Sequence, residues 1–194
     1  VWKTPVEVAP SAALARGNEI HEHAERFVNG EVDDLHESLY RLEKGLRDLR
    51  KRGAIAESGW GLTEEWEPIE WDHRSVWLRL KVDVLHPLGK SGAKIIDYKT
   101  GKCYPDHPEQ LGLYALATFR MFPELEIIHA EDWYVDTGIV SKTETFTKRE
   151  EPMLRKMWSG RAKPLFEDTV YAPTANKFCK WCPFSKLNGG PCEF

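Results

Sequence analysis

The stretch SVWLRLKVDVLHP, residues 75–87, alternates apolar and polar side chains over nine consecutive positions. Val76, Leu78, Leu80, Val82 and Val84 share one face; Trp77, Arg79, Lys81 and Asp83 share the other. A repeat of two is the geometry of a strand and cannot be held by a helix. A half-buried strand needs neighbours on both sides and a layer packed over it, so the chain must build a sheet.

The flanking segments supply the rest. WGLTEEWEPIEW, from Trp60, alternates in the same way and reads as a further antiparallel strand. AKIIDYKTGK, from Ala93, follows the loop GKSGAK and begins as a buried strand with Ile95 and Ile96. Pro108 opens the helix PEQLGLYALATFRMF, which Pro123 ends. LEIIHAEDWYVDT and VSKTETFT form a strand pair around Asp136, Thr137 and Gly138.

Upstream, Ser11 caps a helix with Leu14, Ile20, Ala24 and Phe27 at helical spacing, closed by Gly30. A second helix carries Leu35, Leu39, Leu42, Leu46 and Leu49 on one stripe up to Gly53. REEPMLRKMWSG is a last helix before a cysteine-bearing tail. The expected fold class is α/β, an α+β mixed central sheet flanked by helices, in one domain over residues 1–194. Within it, 9–53 form a helical N-terminal part, 60–147 the sheet with its helix, and 148–194 the last helix and tail.

Net charge is −4, which argues against a basic surface that coats nucleic acid non-specifically but leaves local basic clusters open. No apolar run is long enough to span a membrane and no signal peptide is visible, so the expected compartment is the cytoplasm. The first residue is Val, so preceding residues are expected to have been lost. No Walker-type glycine loop is present, so no nucleotide cofactor is expected.

Two residues apart on one strand, Asp97 and Lys99 project to the same face. Asp83 joins them if its strand is a neighbour. Two carboxylates suit a hard divalent cation bound through oxygen, and a lysine beside them suits an attacking water or a phosphate. For Asp-x-Lys alone, a strand-end ion pair is the simpler account, worth little if exposed. His21 lies beside Ile20 and Ala24 on the first helix, and Gln110 and Tyr114 stand one turn apart on a later one. Each by itself is an ordinary helix-surface residue.

In this order, Gly17 to His21, Asp83, Asp97-Tyr98-Lys99 and QLGLY at 110–114 resemble the RecB-like branch of the PD-(D/E)XK nuclease superfamily, over nearly the whole chain. The exonuclease type related to CRISPR adaptation and phage recombination nucleases is the nearest in wording. The resemblance implies a restriction-endonuclease-like core with an N-terminal helical pair. It implies a metal-dependent deoxyribonuclease hydrolysing phosphodiester bonds, an exonuclease acting on DNA ends in recombination, repair or phage DNA metabolism. It further implies Mg²⁺ or Mn²⁺ held by His21, Asp83, Asp97 and the main-chain carbonyl of Tyr98, with Asp83, Asp97 and Lys99 catalytic. Gln110 and Tyr114 are then DNA-binding residues or supports for Lys99. Relatives often carry another acid on the strand before the second motif; Glu64, Glu65, Glu67 and Glu70 compete for it here, with Glu65 or Glu67 favoured.

The alternatives are a structure-specific or restriction-type endonuclease and a catalytically inactive DNA-binding module. DNA, single-stranded or with free ends, is the implied partner, with a homo-oligomer or a recombination protein as further candidates. Cys179, Cys182 and Cys192 have the spacing of iron–sulfur or zinc ligands. Relatives with an iron–sulfur cluster place their fourth cysteine upstream of the helix histidine. The remaining one here, Cys103, follows the catalytic strand instead. An iron–sulfur cluster, zinc, and free or oxidised thiols therefore all stay open.

Overall fold

A computed structural model describes residues 11–102 and 107–194. In chain order it has α1 (Ala12–Val28), α2 (Glu43–Lys51), β1 (Ile55–Leu62), β2 (Pro68–Ile69), β3 (Leu78–Leu88), β4 (Gly92–Lys99), α3 (His107–Met121), β5 (Ile127–Tyr134), β6 (Ile139–Val140), β7 (Glu144–Thr147) and α4 (Glu151–Glu167). The strands form a mixed sheet in the order β2-β1-β3-β4-β5-β6, with β7 also paired to β5. The chain is thus an α/β protein with a seven-stranded mixed sheet and helices on both faces.

Local chemistry accounts for the main boundaries. The Ser11 hydroxyl accepts the Leu14 N–H at 3.2 Å and starts α1. Gly30, at φ 78°, ends it: its N–H reaches the Phe27 carbonyl and the Glu31 N–H reaches Arg26. β3 and β4 are joined by a tight turn through Gly89, at φ 73°. β4 and β5 run parallel, so α3 between them is the crossover that covers one face.

Two cores result. On one face Ile95, Ala93, Ala130 and Ile128 pack under Leu111, Ala115, Leu116 and Phe119 of α3. On the other, Ile96, Tyr98 and Trp133 pack under Ile20, Ala24 and Phe27 of α1 and Leu46 and Leu49 of α2. At roughly 1.5–3 kcal/mol for each large apolar side chain fully buried, these layers fix the β4 register firmly. A slip of one residue would send Asp97 into the α1 core.

Five expectations need correction. WGLTEEWEPIEW is not one strand: β1 starts earlier, at Ile55, and ends at Leu62, and a turn closed by the Thr63 N–H on the Glu67 carbonyl leads into β2. Leu14 is 55% exposed, because α1 turns its first turn away from the sheet. The second helix begins as a 3-10 turn, Glu37–Leu42, and becomes α-helical only at Glu43; its leucine stripe is nonetheless buried throughout. The strand VSKTETFT is broken into two short pieces, β6 and β7, both paired with β5. Finally, the apolar face of β3 is not shared by one core. Leu80 and Val82 pack with α3, whereas Val84 packs with α1. The exchange falls at Asp83, where the partner strand β1 has Glu57 in the left-handed region at φ 45° and the Ala56–Val84 and Ser58–Val82 pairs flank an unregistered position.

Candidate active site

Asp83 does not end its strand; it lies midway along β3. What ends there is the pairing with β4. The last registered pair is Val84–Ile96, and one step beyond it the strands fork, carrying Asp83 on one arm and Asp97 on the other. A side chain at a fork meets no ladder partner, which frees carboxylates there to face each other.

Asp83 uses both oxygens. Oδ1 lies 3.0 Å from Nδ1 of His21, and Oδ2 accepts the Tyr98 main-chain N–H at 2.7 Å. The His21 ring also meets the Tyr98 ring edge-on, with centroids 5.9 Å apart. Burial pulls the His21 imidazole down, but the hydrogen bond and charge of Asp83, with Asp97 behind, leave it above its ordinary value. In a strand the N–H and C=O of one residue leave by the same edge. Lys99 directs its carbonyl to Val135 of the β5 side, so Tyr98 presents its carbonyl toward β3 and Asp83.

Asp97 is almost fully buried and forms an ion pair with Lys99 through Oδ2. Lys99 Nζ donates to Gln110 Oε1 at 2.6 Å, the Gln110 amide donates to the Tyr114 hydroxyl, and Tyr114 in turn hydrogen-bonds Asp97. The four side chains close a ring between β4 and α3, and the one-turn spacing of Gln110 and Tyr114 lets both take part. Burial and the Asp83 charge raise the Asp97 carboxyl, against the pull of Lys99 and Tyr114. Burial and the two aspartates raise the Tyr114 hydroxyl, keeping it a donor.

α1 is fixed against this end of β4. Arg16 pairs with Asp136, whose Oδ2 also accepts the Gly101 N–H at 2.7 Å. A Cβ on Gly17 would come 3.4 Å from Thr100 Oγ1, so the helix approaches closely here.

Every motif residue of the sheet and helices therefore meets at the β3–β4 fork. The favoured extra acids do not. Glu67 pairs with Arg120, and Glu65, with Glu64, lines a cavity beside Trp77 and Phe166, both away from the fork. Glu57 is the β1 acid beside it: it pairs with Lys81 and its charge reaches His21. Glu25, one turn after His21 on α1, hydrogen-bonds Glu57 and is pushed up to about 7 by that contact. The expected strand begins at Trp60, so Glu57, in the part of β1 before it, fell outside that reading. Asp132 of β5 was also missed. It stands in register with Asp97, is fully buried, and is pushed up to about 6, chiefly by burial.

The donor set suits a hard divalent cation: two carboxylates, a main-chain carbonyl and one imidazole. Among the described residues no three or more His, Cys, Asp or Glu side chains form a ready metal cage. The reason is that the ligands are paired with one another, His21 with Asp83 and Asp97 with Lys99. Those pairs hold the side chains at the fork, and they are contacts a cation of higher charge can displace.

Cys179, Cys182 and Cys192 are free thiols lining one cavity of about 400 Å³, with Phe178, Phe184 and Phe194. Cys103 lies outside the described residues. Among the described residues no helix is long and apolar enough to cross a membrane.

A forked mixed sheet that gathers carboxylates and a lysine at the fork belongs to the α/β proteins that can hold a hard cation beside a charge suited to a phosphate. Residues 3–187 match the PD-(D/E)XK nuclease superfamily, and the chain belongs to it. The family supports a nuclease, a hydrolase for which DNA is the implied substrate. Among solved structures it is similar to SSO0001, at 15% identity over 89% of this chain and 79% of that one, with a TM-score of 0.39. No curated protein matches it significantly.

Proposed function

We propose that the protein is a Mg²⁺- or Mn²⁺-dependent deoxyribonuclease that degrades DNA from its ends. The observation that carries the reading is the ring Asp97–Lys99–Gln110–Tyr114 standing beside the His21–Asp83 pair at one fork. An ion pair alone would not need a glutamine and a tyrosine to hold its lysine.

Asp83, Asp97, His21 and the Tyr98 carbonyl would hold the cation. It would supply Lewis acidity toward a phosphate oxygen and a water. Lys99 holds the attacking water and meets the growing charge on phosphorus; Gln110 fixes the Lys99 Nζ. Tyr114 orients Asp97. Water oxygen joins phosphorus, one ester P–O bond breaks, and no covalent enzyme intermediate forms. The resemblance to RecB-like exonucleases supports action on ends.

The test is a time course on end-labelled linear DNA, single- and double-stranded, beside a closed circle, with Mg²⁺, Mn²⁺ or EDTA. Loss of linear DNA with the circle spared is expected. Cutting of the circle assigns an endonuclease. Binding without cation-stimulated cleavage assigns an inactive DNA-binding module.

For the cysteine tail, whose three thiols line one cavity, an iron–sulfur cluster and free thiols stand level and zinc a little behind. The thiols are not arranged as a finished ligand set among the described residues, and a fourth ligand is required. Iron and zinc analysis of anaerobically prepared protein decides: iron with sulfide, zinc alone, or neither, which leaves free thiols.

A further inference from the structure

β5 carries two adjacent buried acids that the fold treats in opposite ways. Glu131 faces away from the fork and is fully partnered: Lys94 Nζ at 2.8 Å, Thr143 Oγ1 at 2.6 Å and Trp133 Nε1 at 3.0 Å. It is a structural carboxylate, and those donors hold it below the usual carboxylate range. Asp132, on the opposite face, is fully buried; among the described residues no N–H or hydroxyl donates to its carboxylate, which meets the Asp97 carboxyl instead. A buried carboxylate whose neighbour is another carboxylate is costly, so a fold keeps one only where something else uses it.

Its surroundings indicate the use. Parallel register sets Asp132 directly beside Asp97, which holds the Lys99 ammonium, and among the described residues the field of that ammonium reaches Asp132. Its main chain is pinned by Ser141, whose hydroxyl accepts the Asp132 N–H at 2.9 Å, so the carboxylate cannot retreat. Lys99 is held now by Asp97 and Gln110. When Asp97 turns its charge to a metal ion, Lys99 loses its only anionic partner in that ring. We infer that Asp132 is a positioning residue that retains Lys99 at the fork once Asp97 is engaged by the cation. It neither touches substrate nor ligates metal, and it acts through Lys99. The inference rests on the nuclease reading above.

The test compares wild type, Asp132→Asn, Lys99→Ala and the double variant. Single-turnover rate, KM for DNA, Mn²⁺ affinity by calorimetry without DNA, and melting temperature are measured for each. Asp132→Asn is expected to lower the rate by about 10²-fold, the scale of a misplaced catalytic group. KM and Mn²⁺ affinity should stay within about twofold, well inside the tenfold that corresponds to 1.4 kcal/mol. Adding Asp132→Asn to Lys99→Ala should cost nothing more, because the two act as a unit. The melting temperature should rise in Asp132→Asn, since a buried charge set against the Asp97 carboxylate has been removed; a structural acid would lower it. An unchanged rate in Asp132→Asn, or a rate loss that adds fully to that of Lys99→Ala, overturns the inference. So does a parallel loss of Mn²⁺ affinity, which makes Asp132 a ligand instead. Should Asp132→Asn not fold, Asp132→Ser is measured by the same criteria. A wild type inactive in every cation overturns the nuclease reading itself, whereas an active wild type matched by Asp132→Asn overturns this inference alone.

Discussion

Lys99 Nζ lies between an anion and an amide, Asp97 and Gln110, and the two contacts aim it at the fork. Replacing Lys99, Asp97 or Asp83 by Ala should each lower the cleavage rate by at least about 10²–10³-fold, with circular dichroism and melting close to wild type. His21→Ala should instead weaken Mn²⁺ binding, read by calorimetry, by about tenfold or more, as loss of a ligand or its orienting partner does. Glu25 and Glu57 give a pH test. The Glu25 carboxyl, raised from 4.5 to about 7 by Glu57, favours the folded protein while protonated. That stability is present below about pH 4.5 and lost as pH rises through about 7. Glu57, held low by Glu25 and Lys81, works in the opposite sense as pH falls below its ordinary range. Glu25→Gln should therefore melt higher than wild type at pH 8, and the gain should vanish toward pH 5. Because Glu25 is largely solvated, screening limits the gain to about 1 kcal/mol. At this scale the shared faces of Asp97 with Lys99 and of Gln110 with Tyr114 were legible from periods of two and of one helical turn, while their place in a site came from the family resemblance. Asp132 was not legible. Its neighbourhood with Asp97 comes from parallel register across an intervening helix, which no local period encodes.

The elements that set the fork are β3, β4 and the helices over them. β4 was readable because Ile95 and Ile96 are buried on opposite faces and so mark a strand covered twice. The change of face along β3 was not, because it depends on a left-handed backbone at Glu57, a residue type that gives no hint of it. α2 offers a direct check on packing. A Cβ at Gly45 would lie 2.5 Å from the Trp133 ring, and that ring is locked by its bond to Glu131. Gly45→Ala improves helix propensity by about 1 kcal/mol, yet overpacking costs about 1–3 kcal/mol. The net effect should be a melting temperature lowered by a few degrees, where propensity alone gives a rise. A melting temperature above wild type contradicts the close α2–β5 contact.

At the scale of the molecule, two cores on opposite faces of one sheet hold its central strands, and the site occupies the place where β3 passes between them. Sheet-plus-helix architecture was legible because alternation, proline punctuation and helical stripes agree along the chain. The three tail cysteines were legible as a group, but their arrangement around a shared cavity is a product of two 3-10 turns and the Ser185–Cys192 bridge. The central claim is that Asp83, Asp97 and Lys99 form one cation-dependent hydrolytic centre. The most direct measurement is cleavage of end-labelled linear DNA by wild type and Lys99→Ala, side by side, in Mg²⁺, Mn²⁺ and EDTA. Wild type should shorten the DNA in either cation and stop in EDTA, while folded Lys99→Ala leaves it intact. Full cleavage by Lys99→Ala, or cleavage by wild type undiminished in EDTA, would contradict it.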